Sequence, residues 1–290
     1  MIHILHKILI VLILIISLVS CNPLDIIQGK STTELSQSDF KIEKKDKVPL
    51  DFIPRNLNIV SIGDSLTEGV GDSKEQGGYI PYLESYMEKN KGIKEANISN
   101  FGIKGNRTTQ LLTRLNTGEL KAEISKADAV IITIGGNDIM KVVKDQFSNL
   151  TMDDFVNESK GYQKRLEKIF ETIRSENSDA DIYLVGLYNP FGKWMSNLQE
   201  LDQIMEDWNE IGKDVVNEDT NAYFIEIEDI FSNSKENLLF QEDHFHPNDR
   251  GYELIASRIY DQMKEYTVKG TNLLVNASEE SYNEESMDKR

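Results

Sequence analysis

Between residues 56 and 268, two hydrophobic patterns take turns along the chain. Short apolar runs rich in β-formers occupy residues 57–62, 97–101, 129–134, 182–187 and 222–225, and each predicts a strand. Between them apolar residues recur every three or four positions, as on one face of a helix. These stripes are Ile80, Leu83 and Met87; Leu111, Leu112 and Leu115; and Tyr162, Leu166, Ile169, Phe170 and Ile173. Two more follow: Leu201, Ile204, Met205, Trp208, Ile211 and Val215; then Tyr252, Ile255, Ala256, Ile259 and Met263. Strand and helix alternating five times predict an α/β domain built on a parallel sheet. Such sheets carry their sites beyond the carboxyl ends of the strands. The stripes themselves are read as core.

Both ends of the chain break this pattern. Residues 1–21 hold one charged side chain, Lys7, then an unbroken apolar run over 8–16 that extends to twelve residues at Val19. A bilayer span needs about 20, so the run reads as the apolar part of a signal peptide. It ends Leu18-Val19-Ser20-Cys21, which resembles a lipobox, with cleavage before Cys21 and acylation of its thiol. Two or three acyl chains hold a protein on a membrane where one would not. A plain secretory signal or a short uncleaved anchor are the other readings. Residues 22–55 are polar and without period and read as a flexible tether. Residues 269–290, with Glu279, Glu280, Glu284, Glu285 and Asp288, read as a disordered acidic tail. The expectation is a lipid-anchored domain, 56–268, on the extracytoplasmic face of the cell membrane.

Composition narrows the chemistry. A formal charge of −17 leaves no basic footprint for nucleic acid. A single cysteine, Cys21, excludes an intramolecular disulfide and any multi-cysteine zinc site. Of the four histidines, His3 and His6 fall in the signal segment, leaving His244 and His246 for the domain.

The candidate chemistry sits where the predicted strands end. After the first comes Gly63-Asp64-Ser65-Leu66-Thr67-Glu68-Gly69. A serine opening a helix lies among outward backbone N–H groups that can hold an oxyanion, although serine is also a common helix cap. After the second, Asn100 to Thr108 contains Gly102 and Gly105, suited to a turn, a phosphate loop or close approach of a ligand; dinucleotide and P-loop spacings are missing. After the third, Gly135-Gly136-Asn137-Asp138 offers either an amide donor or an ordinary turn. Before the last helix stands Asp243-His244-Phe245-His246-Pro247-Asn248. A carboxylate three residues before a histidine can fold back onto Nδ1 and leave Nε2 for a serine. A helix-entry loop or a zinc site made from Asp and His are the alternatives at this point.

Taken in order, GDSLTEG, NxGxxGxxT, GGND and DxxHP resemble the blocks of the GDSL/SGNH hydrolase superfamily over roughly residues 57–265. The resemblance implies a flavodoxin-like three-layer α/β/α sandwich with a five-stranded parallel sheet. It implies Ser65 as nucleophile, His246 rather than His244 as base and Asp243 as its partner. The oxyanion donors would be the backbone N–H groups of Ser65 and Gly105 with the Asn137 side chain. Asn106 stands where relatives often carry an acid, which puts local hydrogen bonding in question. Implied too are no metal and no organic cofactor, and a monomer is expected. The substrate would be a carboxylic ester or thioester, a lipid for a lipase or an acetylated glycan for an O-acetylesterase. A binding lipoprotein with a vestigial site is the reading from outside enzymology. Substrate choice is expected in loops 139–155 and 189–198, with Phe191, Trp194 and Met195 lining an acyl pocket.

Overall fold

Each of the five apolar runs becomes a strand: β1 (Arg55–Gly63), β2 (Ile93–Gly102), β3 (Ala129–Thr133), β4 (Asp181–Val185) and β5 (Ala222–Ile225). All pair in parallel in the order β2-β1-β3-β4-β5, the flavodoxin-like order. The computed structural model describes residues 54–192 and 199–268. Cys21, residues 22–53 of the expected tether, Trp194, Met195 and the acidic tail lie outside them, and Arg55, expected to close the tether, is instead the first residue of β1.

Successive strand residues face opposite sides, and both sides are apolar. Val60, Ile62, Val130, Ile132, Ile182 and Leu184 join one core cluster. Their neighbours Leu57, Ile59, Ala129, Ile131, Tyr183 and Val185 join the other. The first is covered by α3 (Thr108–Leu115), α4 (Gly118–Ile124), α6 (Met152–Glu176) and α7 (Gln199–Asn217). Trp208 of α7 is buried there and stacks on Tyr162 of α6 with ring centroids 4.6 Å apart. The second is covered by α2 (Ile80–Glu88), the short α8 (Glu228–Ser232) and α9 (Asp249–Met263). The result is the three-layer α/β/α sandwich that the resemblance implied. Burying one such aliphatic side chain is worth about 1.5–3 kcal/mol, so every predicted stripe has a layer to press against.

Two differences from the sequence expectation matter. Strand β2 starts at Ile93, four residues before the apolar run, because it is the sheet edge and Lys94 and Glu95 are exposed there. Residues 139–155, expected as a loop, are mostly helical: α5 (Gly136–Asp145) leaves the end of β3 directly and α6 begins at Met152.

Register puts the strand ends level. Gly63 at the end of β1 lies opposite Gly102 of β2 on one side and Thr133 of β3 on the other. The turns that follow these three strands therefore meet.

Candidate active site

The first turn is forced by a backbone that only glycine accepts comfortably. Gly63 has φ +144, and a Cβ there would lie 2.0 Å from the Thr133 carbonyl oxygen. The Asp64 N–H donates to that same oxygen at 3.0 Å. The Asp64 carboxylate then accepts from Leu66 N at 3.1 Å and caps α1 (Ser65–Glu68). Asp64, not Ser65, is thus the cap, and Ser65 is the first helical residue, whose N–H has no intrahelical partner.

Beneath this turn runs a buried chain of hydroxyls. Thr133 Oγ1 donates to Asp64 at 2.9 Å and meets Thr67 Oγ1 at 2.8 Å. Thr67 meets Tyr79 OH at 3.0 Å, and Tyr79 meets Ser61. Burial pushes the Asp64 carboxyl up to about 7, against the opposing hydrogen bonds from Leu66 and Thr133. Burial likewise pushes Tyr79 up to about 12.

The turn after β2 is tied to the first. Ile103 N donates to Gly63 O at 3.1 Å, Asn100 Nδ2 to Thr67 O at 2.8 Å, and Lys104 N to the Glu68 carboxylate. Gly105 follows with φ +79 and open space where a Cβ would be. Asn106, the departure from the family pattern, is well satisfied: its side-chain oxygen accepts from Arg114 Nη1 at 3.1 Å. Its carbonyl accepts from Asn137 Nδ2 at 3.0 Å, which joins this turn to the one after β3. There Gly135 has φ +122 and α5 opens at Gly136. Next to Asn137, the buried Asp138 accepts from the backbone N–H of Thr108 at 3.0 Å and its hydroxyl at 2.6 Å. Burial raises the Asp138 carboxyl, although Thr108 and Arg165 pull the other way.

The last piece arrives from beyond β5. Asp243 Oδ1 accepts from the N–H groups of Phe245 at 2.9 Å and His246 at 3.0 Å, folding the loop back on itself. Its Oδ2 lies 2.6 Å from His246 Nδ1, and His246 Nε2 lies 2.9 Å from Ser65 Oγ, across 181 positions of sequence. Burial pushes Asp243 up, but the bonds from His246 and the two backbone N–H groups outweigh it and hold the carboxyl below its ordinary range. Tyr188 OH donates to Phe245 O at 2.6 Å, and Asn248 caps α9 through Gly251 N at 3.0 Å. His244 shares the loop, with φ +52, but His246 is the imidazole that reaches Ser65.

Ser65 and Asn137 open onto a cleft whose walls include Ile139, Met140, Leu187, Tyr188, Phe191 and Phe245. Phe191 is one of these walls. Ile139 and Met140 reach the cleft as well, from helix α5 rather than from a loop. Among the described residues no group of three or more His, Cys, Asp or Glu side chains is arranged to hold a metal ion. Sequence reasoning passed over Thr108, Asp138 and Arg165. The first two stood inside quoted motifs, whereas Arg165 is one more cation on a helix face and carries no signal of its own.

With this geometry in hand, comparison with known proteins is direct. The model of the GDSL-like lipase/acylhydrolase family matches residues 61–254. An uncharacterized protein, YpmR of Bacillus subtilis, is 39% identical over 223 residues, covering 77% of this chain and 87% of the relative. The spore germination lipase LipC of Bacillus licheniformis is 28% identical over 213 residues, covering 70% and 94%. Among solved structures, the lipase Lip_vut3 from a goat rumen metagenome superposes with a TM-score of 0.62 at 25% identity, over 70% of this chain and 95% of that one.

Proposed function

Because this chain belongs to the GDSL-like lipase/acylhydrolase family and is a carboxylic ester hydrolase, we propose that it cleaves acyl esters with Ser65 as nucleophile, His246 as base and Asp243 as its orienting partner, at the outer face of the membrane that holds it through lipid on Cys21. The observation that carries the reading is the run of contacts Ser65 Oγ to His246 Nε2 at 2.9 Å and His246 Nδ1 to Asp243 at 2.6 Å.

The carboxylate of Asp243 accepts the Nδ1–H and so selects the tautomer with a free lone pair on Nε2. As Ser65 Oγ attacks the ester carbonyl, its proton passes to Nε2 and the carbonyl electrons move onto oxygen. The Ser65 and Gly105 N–H groups and the second amide hydrogen of Asn137 receive that oxyanion; the first is committed to Asn106. Collapse expels the alcohol, protonated by His246, and leaves an acyl-Ser65 ester. Water, deprotonated by His246, then releases the acid and restores the serine. Losing one oxyanion donor typically lowers turnover about 10²–10³-fold.

The lining of the cleft supports an acyl chain of several carbons over acetyl. Each methylene buried contributes about 0.8 kcal/mol, or about fourfold. Across p-nitrophenyl esters from acetate upward, kcat/KM should rise about fourfold per methylene until the cleft is full. A maximum at acetate would move the reading to an O-acetylesterase.

Ser65→Ala is expected to abolish hydrolysis with the fold intact, and a fluorophosphonate probe should label wild type and not the variant. Full turnover in Ser65→Ala would end the nucleophile assignment; an unlabelled, inactive wild type would favour a binding protein.

A further inference from the structure

Two motif residues remain without a part in the proposed chemistry. Thr108 closes the block that contains Gly105, and Asp138 closes the block that contains Asn137. They are both buried, and they hold each other. Asp138 accepts the Thr108 N–H at 3.0 Å and the Thr108 hydroxyl at 2.6 Å. Arg165 of α6 closes the group, donating through Nε to Thr108 Oγ1 at 2.6 Å and through Nη2 to Asp138 at 3.3 Å. Glu158 takes a further bond from Arg165 at 2.6 Å.

The group sits immediately behind the two oxyanion donors that come from different strands. Gly105 lies three residues before Thr108, and Asn137 directly precedes Asp138. The Asn137-to-Asn106 bond at 3.0 Å joins the same two turns in front. Stability alone is a poor reason for such an arrangement. A buried ion pair often adds nothing over well-packed apolar residues of similar volume. What a fully bonded carboxylate supplies is a fixed distance between the groups that bond it.

We propose that Asp138 is a positioning residue which, with Thr108 and Arg165, sets the separation of the Gly105 N–H and the Asn137 amide so that both meet one oxyanion. The inference rests on the proposed roles of Ser65, Gly105 and Asn137. Displacing a donor by a fraction of an ångström weakens only interactions that form in the transition state, so kcat falls and KM does not.

The test uses the full chain with Asp138→Asn, Thr108→Val and Thr108→Ser, and Ser65→Ala as control. Hydrolysis of a p-nitrophenyl ester gives kcat and KM, and an alkyl trifluoromethyl ketone reports on the oxyanion site. In Asp138→Asn and Thr108→Val, kcat should fall about ten- to hundredfold with KM within twofold. Affinity for the ketone should fall in proportion to kcat, and Thr108→Ser, which keeps the hydroxyl, should match wild type. Should Asp138→Asn fail to fold, Thr108→Val carries the same comparison. Wild-type kcat in the two variants, or lost kcat with undiminished ketone affinity, would overturn the proposal while an inactive Ser65→Ala leaves the nucleophile standing. An active Ser65→Ala would remove the reading beneath it.

Discussion

Asp64 carries two demands that conflict. Its carboxylate caps the helix that begins with Ser65, yet it is only 5% exposed and bonded to a chain of hydroxyls rather than to a cation. Burial lifts its pKa from 3.8 to about 7, so the folded state holds a proton that the unfolded chain has released. The associated stability is fully present below pH 3.8 and is lost as pH rises through about 7. Asp64→Asn keeps an acceptor for Leu66 and Thr133 but has nothing to titrate. Between pH 4 and 8 its stability relative to wild type should shift in its favour by a few kcal/mol, at about 1.4 kcal/mol per pKa unit. Urea unfolding across that range measures the shift, and parallel profiles for the two proteins would count against a buried, proton-holding Asp64. At this scale the sequence was informative about which residues meet and less so about what each does. Ser65 and His246 could be paired from their motifs. The cap could not be assigned from sequence, because Asp64 and Ser65 are both good caps and only the Gly63 backbone decides between them.

Among the elements, β3 and β4 were legible because they lie inside the sheet with both faces buried and a continuous apolar run, and β1 and β5 because their runs are dense in apolar β-formers. The beginning of β2 was not, since an edge strand can carry Lys94 and Glu95 into solvent. Helix α4 buries only Leu120 and Ile124, too few to show a period. Helix α5 hides behind Gly135-Gly136-Asn137, residues that signal a turn; Gly135 alone makes the turn and the helix starts one residue later. Nothing in the pattern singled out Arg174 either, yet it pins the end of α6 to the sheet. Its guanidinium binds both oxygens of Asp219 at 2.6 and 2.8 Å and reaches the Ala180 and Asn221 carbonyls before β4 and β5. Burial raises Asp219, but the bonds from Arg174 and the Asn221 N–H prevail and hold it below 3.8. Arg174→Met should therefore cost roughly 1.5–3 kcal/mol of stability near neutral pH, read from the urea midpoint, with KM unchanged. Because the carboxyl is held low, that deficit should shrink as pH falls below the ordinary carboxylate range. A deficit independent of pH would assign the effect to packing instead.

For the molecule as a whole, the proposed lipid on Cys21 and the proposed acyl cleft belong together: an enzyme fixed to a membrane meets lipid esters at high local concentration. The net charge of −17 would keep the domain off an anionic surface, so the covalent anchor rather than attraction would hold it near. Cys21→Ser should shift the protein from the membrane fraction to the soluble one and block incorporation of labelled palmitate, without lowering turnover of a soluble ester. Membrane retention of that variant would point to an uncleaved apolar segment as the anchor.

The serine and its histidine stand at opposite ends of the sheet's chain order, one leaving the first strand and the other preceding the final helix. Their contact, across 181 positions, needs the turn after the first strand and the loop before that helix to be in place together. Ester turnover should therefore return during refolding only with the last step of assembly, making a colorimetric assay a timer for completion of the fold.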